Sequence, residues 1–323
     1  MNSETRASAK RWTLLVLKAL VSVLLLAYLI DRIDLSETLS QVGRLSWVTA
    51  AAGTALLMLY ISVAGIRWLV VLRTLGADMK LKEALSVTFL GAFFNLVLPG
   101  TVGSDVARVW QSARAGLSLG RAVYSVVLER VGNLVGVSFL AASGLSWWSE
   151  GRTPLDVQFP LWLIFAGVLT VAVGLTVLDR LPSWLRSIPM IARSAVLVHD
   201  SRVVFGRATC LWTMAVTVLI AQALFALVVL LIAVDLHLQL SFWDCFLLVP
   251  AVLFVSFLPI SLGGWGVREY AMVAALGFAG IPAASALLVS VTFAILNIFA
   301  ALPGIFLWPR SRSLTQPSDH ARS

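Results

Sequence analysis

Charge is what this chain has least of. Of its 323 residues only 12% are charged, while 59% are apolar; a soluble domain carries about 25% charged residues. That shortage excludes an ordinary soluble fold and points to an integral membrane protein. Histidine and cysteine are also scarce. His199, His237 and His320 fall in expected loops or the tail, and Cys210 and Cys245 read as unpaired thiols at apolar positions. They are too few and too scattered for a metal cluster. The sequence has no G-x-x-x-x-G-K-[ST], which excludes nucleotide hydrolysis by that route. It has no H-E-x-x-H and no G-x-S-x-G, and Gly264-Trp265-Gly266 follows no strand. No segment is long enough for a soluble catalytic domain. Neither enzymatic activity nor a cofactor is therefore expected.

What the chain does have is long apolar runs. A membrane-crossing helix needs about 20 apolar residues. Runs at 12–30, 45–66, 122–148, 159–178, 208–234 and 283–308 meet that length. The first follows Arg6, Lys10 and Arg11 like a signal peptide, but Asp31-Arg32 stands where a small-residue cleavage site would be. It is read as a span, with Lys18 snorkelling. The run 84–98 would reach only about 22 Å as a helix, short of the ~30 Å hydrocarbon core. The run 270–282 is shorter, and 245–262 leads into a glycine cluster.

The excess of basic charge, +8, decides how these pieces cross. If the six long runs span and the two short regions turn back, only Arg32, Arg44, Arg152 and Arg268 face outward. Apart from Lys18 and Arg130, every other Lys and Arg then lies on the inner side, including the five between 179 and 207. This is the positive-inside pattern. It places both termini in the cytoplasm and assigns the basic charge to anionic lipid rather than nucleic acid.

The two short regions share a pattern. FFNLVLPGTVGSDVARVW at 93–110 carries Pro99, Gly103 and Arg108. FVSFLPISLGGWGVREY at 254–270 carries Pro259, Gly263 and Arg268 at the same spacings. Phe94 and Leu98 match Phe254 and Leu258. Each half, about 12–148 and 159–308, would then be two spans, a broken hairpin and a further span. Three crossings per half invert the second half relative to the first. The expected fold is an all-α polytopic membrane protein, with about six full spans and two re-entrant broken hairpins as an inverted-topology repeat. Inverted repeats with broken helices are a transporter plan. The inner loop 179–207 is a candidate surface helix, and 309–323 is expected to be a disordered cytoplasmic tail.

An ionisable group at the bilayer centre costs roughly 2.5–3.5 kcal/mol on insertion scales. The groups least able to escape to an interface are Asp105, Arg108, Glu129, Arg130, Arg268 and Glu269. Glu129 and Arg130 are adjacent and point to different helix sides, so each needs another partner. Glu129 with Arg268, or Arg130 with Asp105, are the pairings considered. Gly100 and Gly103 permit a sharp turn and close approach, and Ser104 or Asp105 is a candidate N-cap for a helix through Arg108. Gly263, Gly264 and Gly266 precede a helix expected to start near Val267. A helix start inside the membrane presents unpaired N–H groups and partial positive charge. With an arginine nearby it suits a phosphate or carboxylate. Asn95 could add a polar contact, whereas Gln222 and Asn297 read as helix-packing residues.

FFNLVLPGTVGSDVARVW, LERVGN at 128–133 and PISLGGWGVREY together resemble the lysylphosphatidylglycerol synthase transmembrane region, also called the flippase-like family. Arg67-Trp68 fits its pattern too. The resemblance covers about 14–307. It implies a polytopic inner-membrane protein that moves or binds lipids. Some relatives fuse this region to a soluble aminoacyl transferase; with no such segment here, the synthase activity is not expected to carry over. The positions it transfers are Asn95, Pro99, Gly103, Asp105, Arg108, Glu129, Arg130, Pro259, Gly263, Gly264, Gly266, Arg268 and Glu269. Gly103-Ser104-Asp105 stands where relatives often have Gly-Gly-Asp. The expected function is a lipid flippase or transporter for an anionic or lipid-linked headgroup held between the two broken segments. The alternatives are an intramembrane transferase on a lipid-linked substrate, and a non-catalytic partner of lipid-biosynthesis enzymes.

Overall fold

The computed structural model describes residues 20, 45–97, 102–148, 155–177, 195–257 and 266–306. The expected first span, the tail 309–323, and Pro99, Gly100, Pro259, Gly263 and Gly264 lie outside them. Among the described residues the regular structure is helical throughout: α1 (Trp47–Thr74), α2 (Leu81–Val97), α3 (Val102–Arg114), α4 (Leu119–Trp148), α5 (Leu155–Val177), α6 (Ala195–Gly206), α7 (Ala208–Asp235), α8 (Phe242–Phe257), α9 (Val267–Phe278) and α10 (Ala283–Ala301). The protein is an all-α, multi-pass membrane protein. Trp47–Thr74, Leu119–Trp147, Gln158–Val177, Ala208–Asp235 and Ala283–Phe306 are each long and apolar enough to cross a bilayer. They coincide with five of the six expected spans. From Phe159 onward α5 is apolar on every side and almost nowhere buried, a surface that suits lipid and not water.

The short regions are broken helices. α2 has 17 residues and α3 has 13, about 25 Å and 20 Å long. α8 has 16 and α9 has 12. None reaches the ~30 Å of a hydrocarbon core. Within each pair the two helices pack directly on one another. Between α2 and α3 the approach is close: a Cβ at Gly91 would lie 2.9 Å from the Ser104 Cβ and 3.2 Å from its Cα. Only hydrogen at position 91 lets the two backbones come this near.

The chain divides into two compact units that interleave along the sequence. The first holds Met1–Leu57, Asn133–Ala172 and Val218–Asn297. Its helix ends are tied by side chains. Asp235, closing α7, accepts the Ser46 N–H at 2.8 Å just before α1. Ser241 and Asp244 form a reciprocal capping box at the start of α8. The second holds Met58–Gly132, Val173–Thr217 and Ile298–Ser323. Its apolar core gathers Trp68, Leu72, Met79, Leu128, Val204 and Met214. In this unit α6 docks on the end of α5: Ser201 Oγ donates to Leu175 O at 2.8 Å and Arg202 Nε to Thr176 O at 2.7 Å. These bonds satisfy carbonyls that a helix C-terminus leaves open.

Three expectations are corrected here. α1 runs through Arg67 to Thr74, so this arginine is inside a helix and not at the head of an inner loop. α3 starts at Val102, so Ser104 and Asp105 sit within its first turn and neither is its N-cap. His199 lies in α6, not in a loop.

Candidate functional site

The cationic cluster is built in the second unit from three helices. α1 supplies Arg67 and Trp68, α3 supplies Asp105 and Arg108, and α4 supplies Glu129 and Arg130. Arg67 Nε donates to Glu129 Oε1 at 2.6 Å, and Arg108 Nη1 donates to Glu129 Oε2 at 3.3 Å. One carboxylate thus serves two guanidiniums. The three side chains are deeply set, 7% exposed for Arg67, 4% for Glu129 and 13% for Arg108. Arg108 also lies over the Trp68 ring, 5.3 Å from its centroid, a favourable cation–π position. Next to Glu129 in sequence but directed elsewhere, Arg130 donates through Nη2 to Asp105 at 2.8 Å. That pair is 41% and 27% exposed.

The pairing of Arg130 with Asp105 is therefore formed, as the sequence offered. Glu129 is held by Arg67 and Arg108. Arg67 is the member that sequence reasoning left out of the candidate site. The signal was there: Arg67-Trp68 is followed by Leu69-Val70-Val71-Leu72, so the apolar run resumes after the charge.

Counted by charge, the cluster has three cations and two anions. Among the described residues, three of its buried N–H donors have no acceptor: Arg67 Nη1, Trp68 Nε1 and Arg108 Nε. Buried polar groups are normally hydrogen-bonded, and open donors beside excess positive charge are chemically suited to an anion. In the same unit Asn95, half-buried on α2, also has a buried and unpartnered Oδ1.

The second arginine motif, in the first unit, is arranged differently. Gly266 takes φ 82° immediately before α9, a conformation open to glycine and strained for other residues. Glu269 accepts the Gly266 N–H through Oε2 at 2.6 Å, which closes one of the open donors at the helix start. Its Oε1 takes Arg268 Nη2 at 2.5 Å and Nε at 3.1 Å. The guanidinium lies 6.0 Å from the Phe293 ring, which itself stacks on Phe225 at 4.2 Å. Helix α9 begins where the sequence placed it. The Arg268–Glu269 pair is neutral, whereas Arg67, Glu129 and Arg108 sum to +1. Gln222, expected to help pack helices, is buried in this unit, and among the described residues neither amide atom is hydrogen-bonded. It contributes shape there rather than a bond.

These residues lie inside the stretch that the lysylphosphatidylglycerol synthase TM region family matches, 15–304. The chain belongs to that family. It is thus a membrane protein of a lipid-related family, and both arginine motifs fall within the family's own domain. A search of curated proteins returned no match.

Proposed function

We propose that this protein is a lipid flippase or transporter of the cell inner membrane, with both termini cytoplasmic. It binds an anionic or lipid-linked headgroup and carries it across the bilayer without a covalent step. The observation that carries this reading is the buried Arg67–Glu129–Arg108 cluster, with one cation more than it has anions. A lone charge in a membrane interior is costly, and a negative guest offsets that cost. A headgroup bound there leaves its acyl chains in the bilayer. The broken helices α2–α3 and α8–α9, as inverted counterparts, rock against the long spans to open one side at a time. The drive is the membrane potential, a proton gradient or the lipid gradient.

The test is flipping of a fluorescent phosphatidylglycerol analogue in proteoliposomes. Movement faster than in empty liposomes, lost in an Arg108→Ala plus Arg268→Ala variant, supports the reading. Wild-type movement equal to empty liposomes contradicts it. Covalent product made by the purified protein alone from a lipid-linked donor would favour an intramembrane transferase. Co-purification with lipid-biosynthesis enzymes and no movement alone would favour an assembly partner.

A further inference from the structure

We infer that Asp200 is a proton-binding site whose occupancy controls how firmly α6 docks on the ends of α4 and α5. α6 has 12 residues, a length at which an isolated helix is marginal in water. Its helical state therefore depends on what it touches. Val204 packs into the apolar core that holds Trp68 and Leu128. Three consecutive side chains then tie α6 to two longer helices. Ser201 Oγ donates to Leu175 O and Arg202 Nε to Thr176 O at the end of α5. Asp200 Oδ1 lies 3.4 Å from Arg121 Nε near the start of α4. Of the two helices so tied, α4 also carries Glu129 and Arg130.

Asp200 is the tie that answers to acidity. The residue is 1% exposed, and among the described residues its Oδ2 is buried without a hydrogen-bond partner. Its ion pair is long, and the Arg121 side chain is 42% exposed, so water screens the attraction. A charged carboxylate placed there loses its hydration and gains one screened partner. A bound proton removes that cost. Burial accordingly pushes the Asp200 carboxyl above its usual value, offset in part by Arg121 of α4 and by His199 on α6 itself. The last turn of α5 presents carbonyls to α6, one of which takes Arg202. Arg207, at the head of α7, acts on the Cys210 thiol, and Arg73 of α1 donates to Met79 O. Undocked in water, the carboxyl titrates near the ordinary Asp value of about 3.9; docked, it titrates higher. Docking is therefore full below the ordinary value and weakens by up to about tenfold per pH unit until the raised value is passed. α6 is held in acid and loosened as the adjoining solution approaches neutrality.

The experiment is hydrogen exchange on the full chain in neutral detergent, from pH 4 to pH 8 and corrected for intrinsic rates. Protection of the α6 amides reads the docking equilibrium. In the wild type it is expected to fall about tenfold across the series, while protection in α7 does not change. Asp200→Asn keeps the shape without the charge, and its α6 protection stays flat. Arg121→Gln removes the offsetting charge at a partly exposed position. Its protection matches the wild type at pH 4 and lies several-fold below it at pH 8, which keeps the test decisive if Asp200→Asn does not fold. His199→Gln retains the decline, which separates Asp200 from the exposed histidine beside it. Wild-type α6 protection that is independent of pH, a decline that survives Asp200→Asn, or an equal decline in α7 overturns the inference.

Discussion

Glu129→Gln is the most informative single change to the fold. The carboxylate is 4% exposed and faces Arg67 and Arg108, themselves 7% and 13% exposed. The amide keeps the shape and one acceptor oxygen but removes the charge. The local surplus rises from one to two, and two guanidiniums are left facing each other across a neutral group. Breaking a buried ion pair from one side costs about 3–5 kcal/mol. The retained acceptor puts this variant at the lower end, about 3 kcal/mol, or roughly 6–12 °C in melting temperature at the sensitivity of a mid-sized domain. The assay is thermal unfolding of the purified protein in neutral detergent without added lipid. A second variant separates charge from shape. Arg67→Met together with Glu129→Met returns the surplus to one and fills the space with apolar side chains, so it should recover a large part of the loss. A Glu129→Gln protein melting within about 1 °C of the wild type, or a double variant no better than the single one, would refute the argument.

Three further outcomes follow from particular contacts. A Cβ at Gly304 would stand 2.3 Å from Phe89 O, and one at Gly144 2.6 Å from Leu247 O, while Gly167 faces open space. Alanine at 304 or 144 should therefore lower stability by about 1–3 kcal/mol and alanine at 167 should not, as read by the same melting assay. The partly exposed Arg130–Asp105 pair should contribute less than about 1 kcal/mol, so Arg130→Gln should melt close to the wild type; a loss as large as that of Glu129→Gln would contradict this. On α6, burial pushes the Asp200 carboxyl above its usual value, only partly offset by Arg121 at 3.4 Å and by His199. A raised folded value means stability that is full below the ordinary Asp range and is lost as pH rises through the raised value. Asp200→Asn should abolish that decline in a melting series from acid to neutral pH, and an unchanged pH profile would show that Asp200 does not set it.

Much of the fold was legible because membrane insertion leaves a coarse signature. Five spans could be read from apolar length alone, since no other structure keeps so many consecutive apolar residues from water. That each short region holds two short helices was legible from runs too short to cross. The start of α9 was predictable from glycines followed by a helical stretch. Other features turned on details that apolar length does not encode. A hydropathy reading ends a span at the first arginine, so Arg67 looked like an inner-face charge. Its burial depends on Glu129 being presented by another helix 62 positions away. The start of α3 at Val102 removed Ser104 and Asp105 from the cap position and left Asp105 available to Arg130. The two arginine motifs look equivalent as text. In the structure Glu269 caps its own helix and neutralises Arg268, whereas Asp105 is turned to Arg130 and Arg108 shares Glu129 with Arg67.

The most direct measurement is the rate at which proteoliposomes flip a phosphatidylglycerol analogue compared with a phosphatidylcholine analogue, for the wild type and for Arg108→Gln. The surplus cation of the Arg67–Glu129–Arg108 cluster predicts that wild-type protein moves the glycerol lipid faster than the choline lipid, and that the variant loses this difference. Equal rates for both lipids in the wild type, or an undiminished preference in the variant, would contradict it.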